Sequence, residues 1–134
     1  MTERGPEEWF SGVVWIDAIA DAPEPSRLHV SVVTFEPGSR TAWHEHPLGQ
    51  VLYATQGLGL VRIGDEPARY LRPGDAVVVP PLTRHWHGSA PGYLFVHVAI
   101  QEAAPDGGTA TWYEHVDAVE YLAASLAQDA SKRS

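Results

Sequence analysis

The sequence predicts an all-β sandwich or barrel that ends in one short helix, and three observations support this prediction. The 134 residues match the size of one domain, and a hydrophobic fraction of 44% suffices to form a core. Amphipathic helical periodicity is missing until about the last twenty residues. Short apolar runs, typical of strands, occupy Gly12–Asp17, Leu28–Glu36, Val51–Thr55, Leu58–Ile63, Ala76–Val79 and Tyr93–Ile100. We therefore expect residues 1–134 to form a single domain.

Turn sequences separate these apolar runs. Each turn contains proline or glycine, the residues that most readily let a chain reverse direction. The turns are Glu36–Gly38, Gln56–Gly57, Gly64–Pro67 and Arg72–Asp75. Short strands joined by such turns are typical of antiparallel sheets that close on themselves or pack in pairs.

The C-terminal helix is predicted over about residues 117–128. Asp117, followed three residues later by Glu120, forms a capping box at its start. Apolar side chains then recur at helical spacing, and we expect them to share one face: Val119, Leu122, Ala123 and Leu126. The helix should pack on the outside of the barrel.

Composition and charge exclude several classes of function. Without cysteine, the chain has neither a disulfide framework nor thiolate chemistry. Its net charge of −8 argues against nucleic-acid binding, which depends on basic patches. It contains no apolar run long enough to cross a membrane, and residues 1–10 do not resemble a secretory signal. We expect a cytoplasmic protein whose partner is a small-molecule substrate.

Five of the seven histidines cluster in the sequence: His44 and His46, His85 and His87, and His97. Within each pair, the spacing of two residues sends both imidazoles to the same face of a strand. Two such strands side by side would place four imidazoles in one interior, where burial without a purpose is costly. Imidazole ligands favour Zn, Mn, Fe, Ni or Cu over Ca or Mg. The pairs therefore predict a transition-metal site.

The spacing of residues 38–89 resembles the two motifs of the cupin superfamily. The first motif is matched by Gly38, His44, His46, Gln50 and Gly57, and the second by Gly74, Pro80 and His85. The resemblance implies a double-stranded β-helix, which is a jelly-roll barrel, assembled as a homodimer or homotetramer. It also implies one divalent transition metal ion per chain, with these four ligands: His44, His46, Gln50 and His85.

A narrower resemblance covers about residues 5–122 and points to small bacterial cupins that include manganese-dependent hydroxynitrile lyases. The similar segments are His46–Gln50, His85–Gly88, His97–Glu102 and Trp112–Val116. Cupins usually have Glu at the position of Gln50, but this subgroup carries the same three-His, one-Gln ligand set. The likeness implies a lyase that cleaves or forms cyanohydrins, with Mn²⁺ favoured and Fe²⁺, Ni²⁺ or Zn²⁺ as alternatives. Two further departures from the cupin motifs are Leu82 for Gly and Ser89 for Asn.

Three imidazoles and one amide are all neutral, so this ligand set leaves the full charge on the metal. Such a centre favours Lewis-acid chemistry on an alcohol or carbonyl group. Two alternatives stay open: a non-haem metal dioxygenase or related oxidoreductase, and a non-catalytic ligand-binding cupin. Oxygen uptake with iron bound would favour the first alternative, and tight binding without turnover would favour the second.

The predicted catalytic residues are His87, His97 and Gln101. His87 shares the inward face with His85, and strand alternation puts His97 and Gln101 on one face. A neutral histidine beside a dication resists protonation, which suits a general base. Gln101 would hold the substrate by a hydrogen bond. Other residues expected on inward faces are Tyr93, Phe95, Ala99, Ser31 and Val33.

The remaining aromatic residues and histidines receive structural interpretations. Trp43 and Trp86 alternate with the histidine pairs, so we expect them outside the cavity. His29 and His115 are expected to be structural. The other large aromatics exceed what one small barrel needs to cover its core, which favours an assembly. They are Trp9, Phe10, Trp15 and Trp112.

Overall fold

Thirteen strands and one helix make up the described part of the chain, residues 2–133 of a computed structural model, in which side chains are described through residue 126. The strands are β1 Thr2–Arg4, β2 Phe10–Ser11, β3 Val14–Asp21, β4 Leu28–Phe35, β5 Arg40–Thr41, β6 His44–Glu45, β7 Gln50–Gly57, β8 Gly59–Ile63, β9 Arg69–Leu71, β10 Ala76–Val79, β11 His85–Ser89, β12 Phe95–Glu102 and β13 Thr111–Trp112. The helix α1 spans Ala118–Arg133. All six strands predicted from apolar runs are present, so the all-β prediction is confirmed.

The strands form two antiparallel sheets that curl around a shared interior. One sheet has the order β1-β3-β4-β12-β7-β10. The other has the order β13-β6-β11-β5-β2, with β8 and β9 attached through β11. Neighbours in each sheet are mostly far apart in sequence, which is the arrangement of a jelly roll rather than of a simple meander.

Two apolar clusters hold this architecture together. The larger lies between the sheets and contains Phe35, Leu52 and Phe95, all almost completely buried. The smaller lies under α1 and contains Trp86 and Tyr121. The larger cluster packs against the inward-facing histidines. The ring centroid of its Phe35 lies 5.4 Å from that of His97.

The start of α1 agrees with the sequence. Asp117 caps the helix by accepting a hydrogen bond, 2.8 Å long, from the backbone N–H of Glu120. The predicted end near residue 128 lies outside the residues whose side chains the structure describes. Among the described residues, no helix is long and apolar enough to cross a membrane.

The buried face of α1 differs from the predicted one. Val119 is 79% exposed and Leu126 is 66% exposed, whereas Tyr121 is only 4% exposed. Tyr121 sets the rotation of the helix, because its hydroxyl donates to the carbonyl oxygen of Ser89 at 2.6 Å. Its ring also packs against Trp86, at 6.2 Å between centroids. The buried tyrosine and its hydrogen-bond partner, rather than the aliphatic side chains, therefore determine which face of α1 is buried.

The turn before the second histidine pair has Leu82 at the position where the cupin motif, which the sequence resembles, has glycine. Leu82 has a φ of 55°, in the left-handed region that glycine adopts most easily. Its backbone N–H donates to the carbonyl oxygen of His46 at 2.9 Å. The substitution thus leaves the turn geometry in place, and this turn is tied directly to the first histidine pair.

Gly57 offers a test of the close contact between β7 and the start of β12. Its φ is 79°, and a Cβ added there would lie 1.7 Å from the carbonyl oxygen of Leu94. We expect Gly57→Ala to lower the free energy of unfolding by about 3 kcal/mol or more, since the backbone must move. Gly74 is the matched control, because its φ is 95° but its added Cβ would meet open space. Gly74→Ala should cost only about 1–2 kcal/mol; equal losses in urea denaturation would contradict the clash.

Candidate metal centre and substrate cavity

Antiparallel pairing brings the two histidine motifs together. In the pairing of β6 with β11, His44 stands directly opposite His85. His46 follows β6, and Gln50 is the first residue of β7. The ring centroids of His44 lie 4.2 Å from His85 and 5.0 Å from His46. The four predicted ligands are all buried, each 7% exposed or less.

The three histidines among the predicted ligands share one hydrogen-bonding arrangement. The Nδ1 atom of each lies within hydrogen-bond distance of a backbone carbonyl oxygen. The pairs are His44 with Ala42 at 2.8 Å, His46 with Thr109 at 2.6 Å, and His85 with Thr83 at 2.9 Å. A neutral imidazole carries one N–H, so a proton on Nδ1 leaves a lone pair on Nε2. Metal-ligating histidines are typically oriented in this way.

Burial keeps these imidazoles neutral. It lowers the pKa of His85 to about 4, despite the opposing effect of the hydrogen bond to Thr83. The pKa of His44 is well below its ordinary value because of burial and the neighbouring His85. Burial also lowers the pKa of His46. Neutral imidazoles are the form that binds a metal ion.

The proton positions on these side chains bear on whether a cation fits between them. His85 Nε2 and Gln50 Oε1 lie 3.3 Å apart. If the one proton of His85 is on Nδ1, facing Thr83, two lone pairs confront each other at this point. In addition, His46 Nε2 is buried and has no hydrogen-bond partner among the described residues. Converging acceptors without a donor fit a divalent transition metal.

His87 lies close enough to raise a second possible ligand set. Nitrogen atoms of His44, His85 and His87 all lie within 4.8 Å of one another. However, His87 Nδ1 lies 3.0 Å from His97 Nε2 rather than against a backbone carbonyl. His87 therefore lacks the arrangement that the other three share.

A cavity of about 320 Å³ opens beside this cluster. All three predicted catalytic residues line it: His87, His97 and Gln101. Ser31 and Val33 line it too, as strand alternation predicted. His85 lies behind this lining, completely buried.

An aromatic wall forms one side of the cavity. Trp9 and Trp112 stack at 5.0 Å between ring centroids, and Phe10 packs against Trp112 at 5.9 Å. Trp112 also stacks on the imidazole of His44 at 4.4 Å. Three of the four aromatics whose number favoured an assembly therefore line the cavity. Trp15 lies apart and donates from Nε1 to Glu36 at 2.9 Å.

The inward face of β12 is shorter than alternation predicted. Tyr93 precedes the strand and is 54% exposed, so its predicted inward position is wrong. Phe95 is buried in the core rather than in the cavity lining. The register shift in the pairing with β7 places the extra residue, Thr55, on β7, while β12 pairs with β4 without a shift, so alternation continues along β12. Ala99 lies in the cavity lining as expected.

The aromatic residues and histidines that were expected outside the cavity lie outside it. Trp86 is fully buried under α1, and Trp43 packs against the same cluster. His29 lies 2.6 Å from an Asp21 carboxylate oxygen, and His115 faces the hydroxyl of Ser11 at 3.4 Å. None of them lines the cavity beside the metal ligands.

Besides the aromatic wall, the site includes other residues that were not predicted from the sequence, among them Thr109 and Thr41. Thr109 supplies the carbonyl oxygen against His46, and a backbone carbonyl has no sequence signature. Thr41 lines the cavity, and its hydroxyl accepts a hydrogen bond from the backbone N–H of His87 at 3.2 Å.

Comparisons with known proteins agree with this geometry. The profile of the family described as "Cupin domain" matches residues 31–96. The (R)-mandelonitrile lyase of Granulicella tundricola is 46% identical over 118 residues, which cover 88% of this chain and 89% of that protein.

Solved structures give the same result. A cupin-like protein from Thermotoga maritima superposes with a TM-score of 0.84 at 40% identity, over 91% of this chain and 92% of its own. A cupin 2 conserved barrel domain protein from Rhodopseudomonas palustris reaches 0.70 over 99% of this chain and 88% of its own; at 14% identity it supports the fold alone. With its jelly-roll sheets, its paired histidine motifs and these relatives, the chain belongs to the cupin family.

Proposed function

We propose that this protein is a metal-dependent hydroxynitrile lyase that splits aromatic cyanohydrins such as mandelonitrile into an aldehyde and hydrogen cyanide. The observation that carries the proposal is a cavity lined both by buried neutral imidazoles and by an aromatic wall. The relative named as an (R)-mandelonitrile lyase supports it. The aromatic wall suits an aryl ring, and the imidazoles suit a hydroxyl group that must lose a proton.

The metal ligands in this proposal are His44, His46, Gln50 and His85. Because all four are neutral, a bound divalent ion, with Mn²⁺ favoured, would keep its full charge and act as a Lewis acid that polarises the substrate hydroxyl. Burial of the ligands and their carbonyl partners fixes their orientation before a metal binds.

Substrate binding falls to the aromatic wall. Trp9, Phe10 and Trp112 line the cavity and pack against one another. Val33 and Ile16 add aliphatic surface to the same lining. An aryl group held there leaves the hydroxyl-bearing carbon next to the imidazoles, so the reacting bonds are oriented before any proton moves.

His87 moves the proton in this mechanism. Its pKa is well below the ordinary value because of burial and the neighbouring His97, so it is neutral. With its proton on Nδ1, facing His97 Nε2, its buried Nε2 carries a lone pair. Nε2 takes the hydroxyl proton, the O–H electron pair forms the carbonyl, and the C–C pair leaves with cyanide. The same Nε2 then returns the proton to cyanide, which gives hydrogen cyanide.

His97 supports the charged form of His87. The two rings lie 4.8 Å apart, centroid to centroid, and their facing nitrogens are 3.0 Å apart. Burial lowers the pKa of His97 to about 4, so it stays neutral. It therefore accepts the Nδ1–H of the His87 imidazolium without adding a second charge to the interior.

The proposal is tested by metal analysis and turnover on one preparation. The purified protein is analysed for metals, stripped with a chelator, and restored separately with Mn²⁺, Fe²⁺, Ni²⁺ or Zn²⁺. Release of benzaldehyde from mandelonitrile should return with at least one metal, Mn²⁺ above the others, and should not require oxygen. Absence of cleavage with every metal, or turnover that consumes oxygen, would overturn the lyase assignment.

A further inference from the structure

Gln50 has a partner on the neighbouring strand that is not a predicted metal ligand. The pairing of β7 with β12 places Gln50 directly opposite Gln101. Gln50 Nε2 donates a hydrogen bond, 2.8 Å long, to Gln101 Oε1. Gln50 is only 7% exposed, so water competes little for this amide. The contact is a side-chain pair set by strand register.

This contact matters because the two ends of an amide differ chemically but hardly in size. The Oε1 atom of Gln50 faces His85 Nε2 at 3.3 Å. Rotating the amide by 180° would replace this acceptor with N–H groups, which repel a cation and would donate to His85 instead. A hydrogen-bond acceptor at residue 101 favours the orientation in which the oxygen faces the ligand nitrogens.

We propose that Gln101 is a positioning residue that holds the side-chain oxygen of Gln50 toward the metal site. The inference rests on the proposed metal site but not on the cyanohydrin reaction. It gives Gln101 a role through its contact with Gln50, in addition to its place in the cavity lining.

A carboxylate at residue 50 provides the test, because its two oxygens are equivalent and rotation exchanges nothing. Affinity for Mn²⁺ alone is measured by titration against the electron paramagnetic resonance signal of free Mn²⁺. Gln101→Leu removes the acceptor and should weaken binding about threefold to tenfold, the range expected for one hydrogen bond. In the Gln50→Glu background, the same Gln101→Leu change should alter affinity less than about twofold, because no orientation remains to be lost.

Gln101→Glu keeps an acceptor and should retain at least the parent affinity. It is the control that keeps the proposal testable if Gln101→Leu fails to fold. Equal weakening by Gln101→Leu in both backgrounds would indicate a packing role and overturn the proposal, as would no weakening in the parent. A parent protein that binds none of Mn²⁺, Fe²⁺, Ni²⁺ and Zn²⁺ would overturn the metal site and this inference together. Tight Mn²⁺ binding without mandelonitrile cleavage would instead reject only the lyase reaction.

Discussion

Replacing His44 or His85 with alanine should abolish metal binding. Each substitution leaves two imidazoles and one amide, and it also removes one of a pair of rings only 4.2 Å apart between centroids. Changes to the partners of metal ligands already cost about 10–100-fold in affinity, so loss of a ligand should cost more. The metal content of the purified variants, measured by elemental analysis, should fall to background.

Two further variants separate the possible ligand sets. His46→Ala should lose metal as severely as His44→Ala, whereas His87→Ala should retain it. The opposite result would favour the alternative cluster in which His87 nitrogen lies within 4.8 Å of the nitrogens of His44 and His85. His115→Ala is the matched control, because that histidine faces Ser11 outside the cavity. Full metal occupancy in His44→Ala and His85→Ala would reject the site.

The metal-centre region could be anticipated from sequence because its histidines have the two-residue spacing of a strand and its motifs resemble those of cupins. Two-residue spacing sends both members of a histidine pair inward, and antiparallel pairing then sets His44 opposite His85. The long strands were also predictable, since each contains a run rich in apolar residues between turn sequences. The short strands β2, β5, β6 and β13 each span two residues, too few to show any periodicity.

Features that depend on one tertiary contact could not be read from the sequence. The rotation of α1 follows from the hydrogen bond between the Tyr121 hydroxyl and the Ser89 carbonyl oxygen, 32 residues apart. A count of aliphatic residues predicted a different face. Likewise, Trp9 and Trp112 meet in a stack at the cavity, although strand patterns give no indication that they are neighbours.

The same limit applies to the link between His87 and His97. The sequence indicated that both face inward, but not that their ring nitrogens lie 3.0 Å apart. That distance depends on how β11 and β12, which lie in different sheets, face each other across the interior. At that distance the two candidate bases form one hydrogen-bonded pair, in which we propose a distinct role for each.

Alanine at His87 or His97 should therefore leave metal binding intact but lower the rate of mandelonitrile cleavage. Loss of a general base typically costs about 10²–10⁴-fold in rate. We expect His87→Ala to show the larger loss within this range, because its Nε2 receives the hydroxyl proton. His97→Ala should show a smaller loss, because it removes only the acceptor that supports the charged ring. Single-turnover rates with Mn²⁺ at saturation would measure both.

Control variants separate proton transfer from packing. His97 is completely buried against Phe35 and Phe95, so His97→Gln keeps the bulk of the side chain if alanine prevents folding. Added imidazole should partly restore His87→Ala, because the space left opens onto the cavity, but should do little for His115→Ala, which should already match the parent. Near-parent rates in both His87→Ala and His97→Ala, at full metal occupancy, would remove the pair from the mechanism. A larger loss at His97 than at His87 would reverse their roles, since the proton would then be received at the ring that lies deeper against the core.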